Sequence, residues 1–471
     1  MIKKTKIVAT IGPATGSEEM LSKLLKAGMN VMRLNFSHGD FKEHQERLDN
    51  FKKSQVKTGI TGAVLQDLGG PKIRIGMFST ESINLKVGKT FTLTTDEIVG
   101  DENRVSINYK ALPKEVEKGH HIYLHDGKKK LEVVDIKGND VVCKVLVGGD
   151  IKGKRGVNLP HSELTVKSLT EKDLKDLEFG IKNKVDYVAL SFVRRPSDIL
   201  ELREILKKRK CDAGIIAKIE TPQAVKNIDE IIKLSDGIMV ARGDLAIEVP
   251  FEEVPMIQKM IIQKANDAGK PIITATQMLE SMIKNPVATR AEVSDVANAI
   301  LDGTDAVMLS EETTLGDFPV ESVTVMSKIA GQIEGNYPEK EVVHALGNGE
   351  TEIADSITGS VVKTANNVGA KVIVALTESG FTARMVSRHK PLTPILALSP
   401  NERTSQKLVL SFGCAPITIP RYKTINEAFK IVRTHCLKEK LAKKGDKVVI
   451  AAGAPFNTKG VVTNMLVVET I

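Results

Sequence analysis

Gly214-Ile215-Ile216-Ala217-Lys218-Ile219-Glu220 is an apolar run that ends in a lysine and a glutamate with one residue between them. Side chains on a strand alternate between its faces, so Lys218 and Glu220 share a face. An ammonium and a carboxylate at the end of a buried strand are costly to desolvate. They are tolerable as a buried ion pair, or as half of a site that takes a metal and an anionic substrate.

The run is one of eight. The others are Lys6 to Ile11, Asn30 to Asn35, Ala63 to Asp67, Tyr187 to Phe192, Gly237 to Ala241, Ile272 to Thr276 and Ala306 to Ser310. Helical patterns lie between them, including Ser17 to Ala27, Pro196 to Lys208, Ile257 to Ala268 and Ala291 to Leu301. Eight βα units predict an α/β protein built on a (β/α)8 TIM barrel. The other arrangement is an open doubly wound sheet. Eight units with polar residues at nearly every strand end favour the barrel. Between the third and fourth units, residues 73–166 switch to short alternating strands with Gly and Asn-Asp turns. This segment reads as a small β-barrel domain inserted on the C-terminal face, placed to act as a lid. Lys328 to Thr351 reads as a polar connector. A helix from Ala354 to Asn366 follows. Strands then start near Val372, Ile395, Val448 and Met465, with Pro416 to Ile419 as an edge strand. The expected division is residues 1–72 with 167–345 as the catalytic barrel, 73–166 as the lid, and 346–471 as a C-terminal α/β regulatory domain.

Hydrophobic content of 41% and charged content of 27% over 471 residues describe a water-soluble globular chain. No apolar run approaches the roughly 18 residues of a membrane span. The N-terminus runs into a strand rather than a signal segment. Cys143, Cys211, Cys414 and Cys436 are scattered without a CxxC, which points to a reducing, cytoplasmic setting. The net charge is +8, yet there is no Trp and only 4% aromatic residues. Stacking on nucleic-acid bases is therefore not expected. The basic excess suits small polyanionic substrates.

Catalytic groups of parallel barrels come from C-terminal strand ends. Those ends carry Arg33, Asn35 and Ser37; Asp67; Lys218 and Glu220; Arg242 and Asp244; Thr276; and Ser310, Glu311 and Glu312. Two carboxylates suit Mg²⁺ or Mn²⁺, which keep water and substrate oxygens as their other ligands. Arginine and lysine suit phosphate. Phosphoryl transfer needs little more than such positioning and charge neutralisation.

Asn30-Val31-Met32-Arg33-Leu34-Asn35-Phe36-Ser37-His38-Gly39 resembles the NxxRxNFSHG segment of pyruvate kinases. So do Ile219-Glu220, Ala241-Arg242-Gly243-Asp244-Leu245, Ala275 to Met282, Thr289 to Glu292, Asp295 to Asn298 and, in the insert, Lys154 to Pro160. The resemblance runs from Lys4 to the C-terminus. It implies phosphoryl transfer from phosphoenolpyruvate to ADP, giving pyruvate and ATP, in a cytoplasmic homotetramer. By resemblance, Glu220 and Asp244 ligate the divalent metal, and Lys218 neutralises phosphoryl and enolate charge. Arg33 grips the phosphate. Thr276, backed by Ser310 and Glu312, helps deliver a proton. Arg155 and Asp126 close over the substrates. His38 and Asn35 lie toward the nucleotide, and Arg74 and Gly243 are further substrate contacts. An N-cap or packing role for His38 is the plain alternative.

Three segments depart from the family pattern. Asp67-Leu68-Gly69-Gly70-Pro71-Lys72 carries a lysine where relatives commonly have a glutamate beside a K⁺ ion. The oxygens at that ion match Asn35, Ser37 and Asp67, with Leu68 beside them. A tethered ammonium supplies the same charge and repels a second cation, so K⁺-independent activity is expected. Leu309-Ser310-Glu311-Glu312 adds a carboxylate where glycine is common. His125-Asp126-Gly127-Lys128-Lys129 changes the lid tip. These two changes leave open a catalytically impaired paralogue serving as a regulatory or interaction subunit. Another barrel enzyme of phosphoenolpyruvate, such as a metal-dependent aldolase, would lack both extra domains. His120, His121 and His125 have no supporting ligands for zinc and read as a solvated face. Thr377, Ser379, Gly380 and Thr382 resemble an effector loop for a sugar phosphate or AMP, with Phe381 in place of a basic residue.

Overall fold

The computed structural model describes residues 3–162, 164–335, 350–456 and 461–471. Eight barrel strands occupy the expected runs: β1 Lys6–Thr10, β2 Val31–Asn35, β3 Ala63–Asp67, β4 Tyr187–Leu190, β5 Gly214–Ile219, β6 Gly237–Ala241, β7 Ile272–Ala275 and β8 Ala306–Leu309. Each pairs in parallel with its neighbours in sequence, and β8 pairs with β1 to close the ring. Both faces of these strands are buried, which explains why they read as continuous apolar runs.

Period two then assigns the faces. Val31, Leu65, Ile216, Met239 and Met308 pack inside the barrel. Ile215, Ala217 and Ile219 pack outward against the helices. Two residues further along the inward rows stand Arg33, Asp67, Lys218, Ala241 and Ser310. The chemistry-bearing side chains therefore surface together at one mouth.

The helices lie where their patterns predicted them. Ser17 caps Glu18–Ala27, accepting from Met20 N, and Gly28 ends it at φ 119°. Thr289 and Glu292 form a reciprocal capping box on Arg290–Asp302. Leu21, Leu24, Leu202, Ile261 and Ile300 bury the inner stripes of the ring. Each such side chain contributes about 1.5–3 kcal/mol.

The segment between β3 and β4 has its own core, including Phe91, Leu93, Ile122, Leu131 and Val145. Hydrogen bonding resolves it into a six-stranded sheet and the two-stranded ribbon Ser82–Leu85 with Gly149–Lys152. Ile83, Leu85 and Ile151 of the ribbon join that same core. The tip hairpin turns at His125-Asp126-Gly127-Lys128, with φ of 55° at Asp126 and 79° at Gly127. Asp-Gly is the pair that such a tight hairpin turn favours.

The expected connector from Lys328 to Thr351 is corrected at both ends. Lys328 to Glu334 continues the helix Pro319–Glu334, whose Val323, Met326 and Ala330 are buried. The polar residue that masked this, Glu334, is a tie: its carboxylate accepts from Lys4 N at 2.8 Å and Thr5 N at 2.6 Å. Glu350 already belongs to the next helix, Glu350–Val368, longer at both ends than expected. Residues 336–349 of that connector lie outside the described residues.

In the C-terminal sheet the spatial order is Cys414–Thr418, Ile395–Ser399, Val372–Leu376, Lys447–Ala452, Met465–Thr470. Cys414–Thr418 is an edge, as Pro416 suggested, and Met465–Thr470 is antiparallel. This sheet's domain closes the N-terminal mouth of the barrel. Val409 and Leu410 pack with the barrel's interior side chains. Lys6 Nζ donates to Cys414 O at 2.7 Å, and Tyr187 OH donates to Lys407 O at 2.8 Å. Asp305 takes Phe412 N at 2.9 Å on one oxygen and pairs with Lys390 at 2.9 Å through the other.

Candidate active site

At the open mouth, β2, β3 and β5 deliver four charges to one buried cluster. Arg33 Nε donates to Asp67 Oδ2 at 2.7 Å, and its Nη1 donates to Thr10 Oγ1 at 2.7 Å. Lys218 Nζ lies 2.9 Å from Glu220 Oε1 and 3.2 Å from Asp67 Oδ1, and donates to Ser191 Oγ at 2.7 Å. Burial opposes a charge on Lys218, but Asp67 and Glu220 outweigh it and hold the ammonium above the ordinary lysine range. Burial likewise opposes the Asp67 carboxylate; Lys218 and Arg33 overcome this and keep it below its usual range.

Glu220 differs. Burial, reinforced by Asp244, pushes its carboxyl up despite Lys218. Its Oε2 accepts from Phe192 N at 2.7 Å, while the buried Oε1 takes no aligned hydrogen bond beyond its ionic contact with Lys218. A buried carboxylate oxygen left short of donors, with Asp244 nearby, fits a divalent cation. No cluster of three or more metal-ligating His, Cys, Asp or Glu exists among the described residues. Two carboxylates alone suit a hard cation that completes its shell with water and substrate oxygens.

The end of β7 is strained. Thr276 and Gln277 sit at φ 69° and 55°, and two left-handed non-glycine residues in a row cost on the order of 1 kcal/mol or more each. The neighbours hold them there. Thr276 Oγ1 accepts from Gly243 N at 2.7 Å, and Arg242 Nη2 donates to Thr276 O at 2.8 Å. Arg242 also grips Asp295 through two nitrogens at 2.6 and 2.8 Å. Glu312 is buried and pushed up by burial. It receives Ser310 N at 2.7 Å and Leu279 N at 3.2 Å, bracing the turns after β7 and β8.

A cleft of about 1080 Å³ opens at the same mouth, beside this cluster. Gly243, Asp244, Thr276, Ser310, Glu311 and Glu312 line its floor, and Asp126 with Lys128 overhangs from the lid. A smaller space of about 160 Å³ adjoins it, bounded by Lys72, Arg74, Asp126, Asp244 and Glu248. Arg155 borders neither space; the residue is half-buried, and its buried Nε has no hydrogen-bond partner. Glu248 was not singled out from sequence. Burial pushes its carboxyl up to about 7. Ser191 was also missed as a functional residue, although it follows β4 as Ser310 follows β8.

His38 is exposed, and Asp40 rather than His38 caps the following helix. The N-cap and packing readings of His38 are therefore set aside. Burial and the charges of Lys72, Arg74 and Arg33 lower its pKa. Asn35 Oδ1 accepts from Ser37 N at 3.1 Å, and the Leu68 carbonyl accepts from Ser191 Oγ at 2.7 Å. Lys72 is exposed at the lid hinge, yet the cleft walls and Lys218 lower its pKa, against the opposing charges of Asp244 and Asp67. His120 and His121 lie against His161, with ring centroids 5.9 and 5.6 Å apart. In the C-terminal domain, Thr377 Oγ1 accepts from Gly380 N at 3.0 Å and Thr382 pairs with Thr463 at 2.8 Å. Both hydroxyls are thus already engaged, while Ser379 is exposed.

Similarity covers the whole arrangement. A family model for the pyruvate kinase barrel domain matches residues 2–323, and one for the pyruvate kinase alpha/beta domain matches residues 355–469. A pyruvate kinase of Clostridium perfringens is 44% identical over 475 residues, covering 100% of both chains. One from Geobacillus stearothermophilus is 46% identical, covering 100% of this chain and 81% of its own. The crystal structure of a pyruvate kinase from Cryptosporidium parvum superposes with a TM-score of 0.93 at 36% identity, covering 99% of this chain and 96% of that one. With the closed barrel, the inserted lid and the C-terminal sheet all matched, the chain belongs to the pyruvate kinase family.

Proposed function

We propose that this enzyme transfers the phosphoryl group of phosphoenolpyruvate to ADP with Mg²⁺ and without need of K⁺. The observation that carries this reading is the buried Arg33–Asp67–Lys218–Glu220 cluster, with Asp244 beside it lining a cleft under the lid. A bound Mg²⁺, held by Glu220 and Asp244, would supply Lewis-acid neutralisation of phosphoryl oxygens. Lys218 is held as an ammonium by Asp67, Glu220 and Ser191 and has no freedom to wander. Its charge is therefore preorganised for the phosphoryl group and for the enolate oxygen it leaves behind. Arg33 keeps one guanidinium edge on Asp67 and Thr10 and grips phosphate with the remainder. Thr276, fixed by Gly243 and Arg242, relays a proton through water toward the enolate carbon, while Glu312 and Ser310 hold that turn in shape. Asp126 and Arg155 close from the lid; Arg74, Gly243, Asn35 and His38 complete the substrate and nucleotide contacts.

The K⁺ reading rests on Lys72. Three of the oxygens that would ligate a monovalent ion already have protein partners: Asp67 Oδ1 with Lys218, Asn35 Oδ1 with Ser37 N, and the Leu68 carbonyl with Ser191. Lys72 adds a positive charge within reach of Asp67 and Asp244. A coupled assay with phosphoenolpyruvate, ADP and Mg²⁺ tests both parts. Turnover that collapses on chelation and is indifferent to KCl against NaCl is expected. Strong stimulation by K⁺ removes the second part; absence of turnover in either salt removes the first and favours the impaired paralogue. Effector control through Thr377, Ser379, Gly380 and Thr382 belongs to this proposal only as a weak interaction, and a flat velocity response to fructose bisphosphate, ribose 5-phosphate and AMP removes it. Assembly as a cytoplasmic homotetramer, checked by sedimentation, completes the reading.

A further inference from the structure

The short helix Arg242–Glu248 is fastened at both ends, and to different bodies. Its first turn is fastened to the barrel by the Arg242–Asp295 pair and by Gly243 N on Thr276. Its last turn meets the lid. Asn158 Nδ2 donates to Glu248 Oε1 at 2.8 Å. Beside it, Ile247 faces Gly127 of the lid tip across the cleft.

The lid segment involved is the one that matters for substrate. Asn158 ends the edge strand Val157–Asn158, paired with His121–Leu124. Arg155 lies three residues earlier, and His125 N donates to Gly156 O at 3.0 Å, tying the tip to the same segment. A seven-residue helix is about 10 Å long. Asp244 and the lid's seat therefore ride on one short rigid body. A carboxylate that burial penalises as strongly as Glu248 is retained at a cost unless its donors hold it.

We propose that Glu248 is a positioning residue that seats the lid, through Asn158, on the helix that presents Asp244. So seated, the lid holds Asp126 at the wall of the cleft and carries Arg155 on the same segment. This rests on the reading of Arg155 and Asp126 as substrate-binding groups.

The test is steady-state kinetics of the full chain with Glu248→Ala, Glu248→Gln, Asn158→Ala and the Glu248→Ala/Asn158→Ala double variant, with Arg155→Ala as reference. Hydrogen exchange at 155–159 is followed in each. Loss of a hydrogen bond to a charged acceptor predicts a KM for phosphoenolpyruvate raised roughly ten-fold in Glu248→Ala and Asn158→Ala, with a smaller change in kcat. The double variant should be no worse than the worse single. Glu248→Gln keeps the accepting oxygen and should restore most of the KM and the slow exchange. Wild-type KM and exchange in Glu248→Ala overturn the proposal. Additive effects in the double variant, or a Gln variant as impaired as Ala, overturn it too. Should Glu248→Ala fail to fold, Asn158→Ala decides by the same criteria. If Arg155→Ala leaves KM unchanged, the substrate-binding reading of Arg155 fails, and exchange at 155–159 alone decides whether Glu248 seats the lid.

Discussion

The two mouths of the barrel are made by the same eight strands, and they handle charge in opposite ways. At the N-terminal mouth Asp305 is fully answered: Phe412 N, Ile272 N and Lys390 take its oxygens, and Val409 and Leu410 seal the floor. At the C-terminal mouth Glu220 keeps a buried oxygen short of donors, Thr276 and Gln277 are strained, and a cleft of about 1080 Å³ stands open. A charge whose partners are all protein atoms fastens parts together. A charge with capacity to spare beside an open cleft is free to take something else, whereas Lys390 Nζ, equally short of an aligned partner, is sealed away. That contrast separates structure from site more sharply than the residue types do, since both mouths use lysine and aspartate.

Four measurements can break or sharpen it. At the open mouth, Lys218→Met should lower kcat by about 10³ while the far-UV spectrum stays near wild type, with some loss of Tm because Asp67 and Glu220 lose their counter-charge; a fully active variant would reduce the cluster to structural ion pairs. At the sealed mouth, Leu410→Ala should cost about 2–4 kcal/mol in denaturant unfolding and leave KM for both substrates unchanged. Glu248 stands at the border, with its carboxyl raised to about 7 by burial. A raised carboxyl binds its proton more readily folded than unfolded, so it weakens the fold increasingly as pH climbs from about 4.5 toward 7. Glu248→Gln, scanned in EDTA, should therefore gain roughly 3 °C in Tm at pH 8.5 and nothing at pH 5. Smallest is the salt effect: replacing NaCl by KCl should change turnover by less than about two-fold, as expected where a tethered ammonium already supplies the charge.

The open mouth was legible in sequence because its placement follows from period two. Once the Gly214 to Glu220 run is a buried strand, Lys218 and Glu220 must share the inward face, and Arg33, Asp67 and Ser310 follow by the same count. The sealed mouth was not. Asp305 and Lys390 are far apart in the chain, and nothing local in either announces the pair. Glu334 misled for a related reason: its polarity looked like a linker's, yet its partners are Lys4 and Thr5 at the other end of the sequence. Arg242 and Glu312 were readable as strand-end residues, but not as braces, because bracing depends on which backbone groups the turns leave exposed. Glu248 escaped notice because its partner lies in another domain.

The seal at the barrel floor also sets a timetable. Val409 and Leu410 complete an interior whose first contributor, Val8, leaves the ribosome some four hundred residues earlier. During synthesis at ~5–20 residues per second, the barrel's eight strands, complete at Leu309, wait roughly 5–20 seconds with their floor uncovered. A nascent chain stalled before residue 409 would carry a ready hydrophobic ring, which makes this stretch the natural one for chaperone capture.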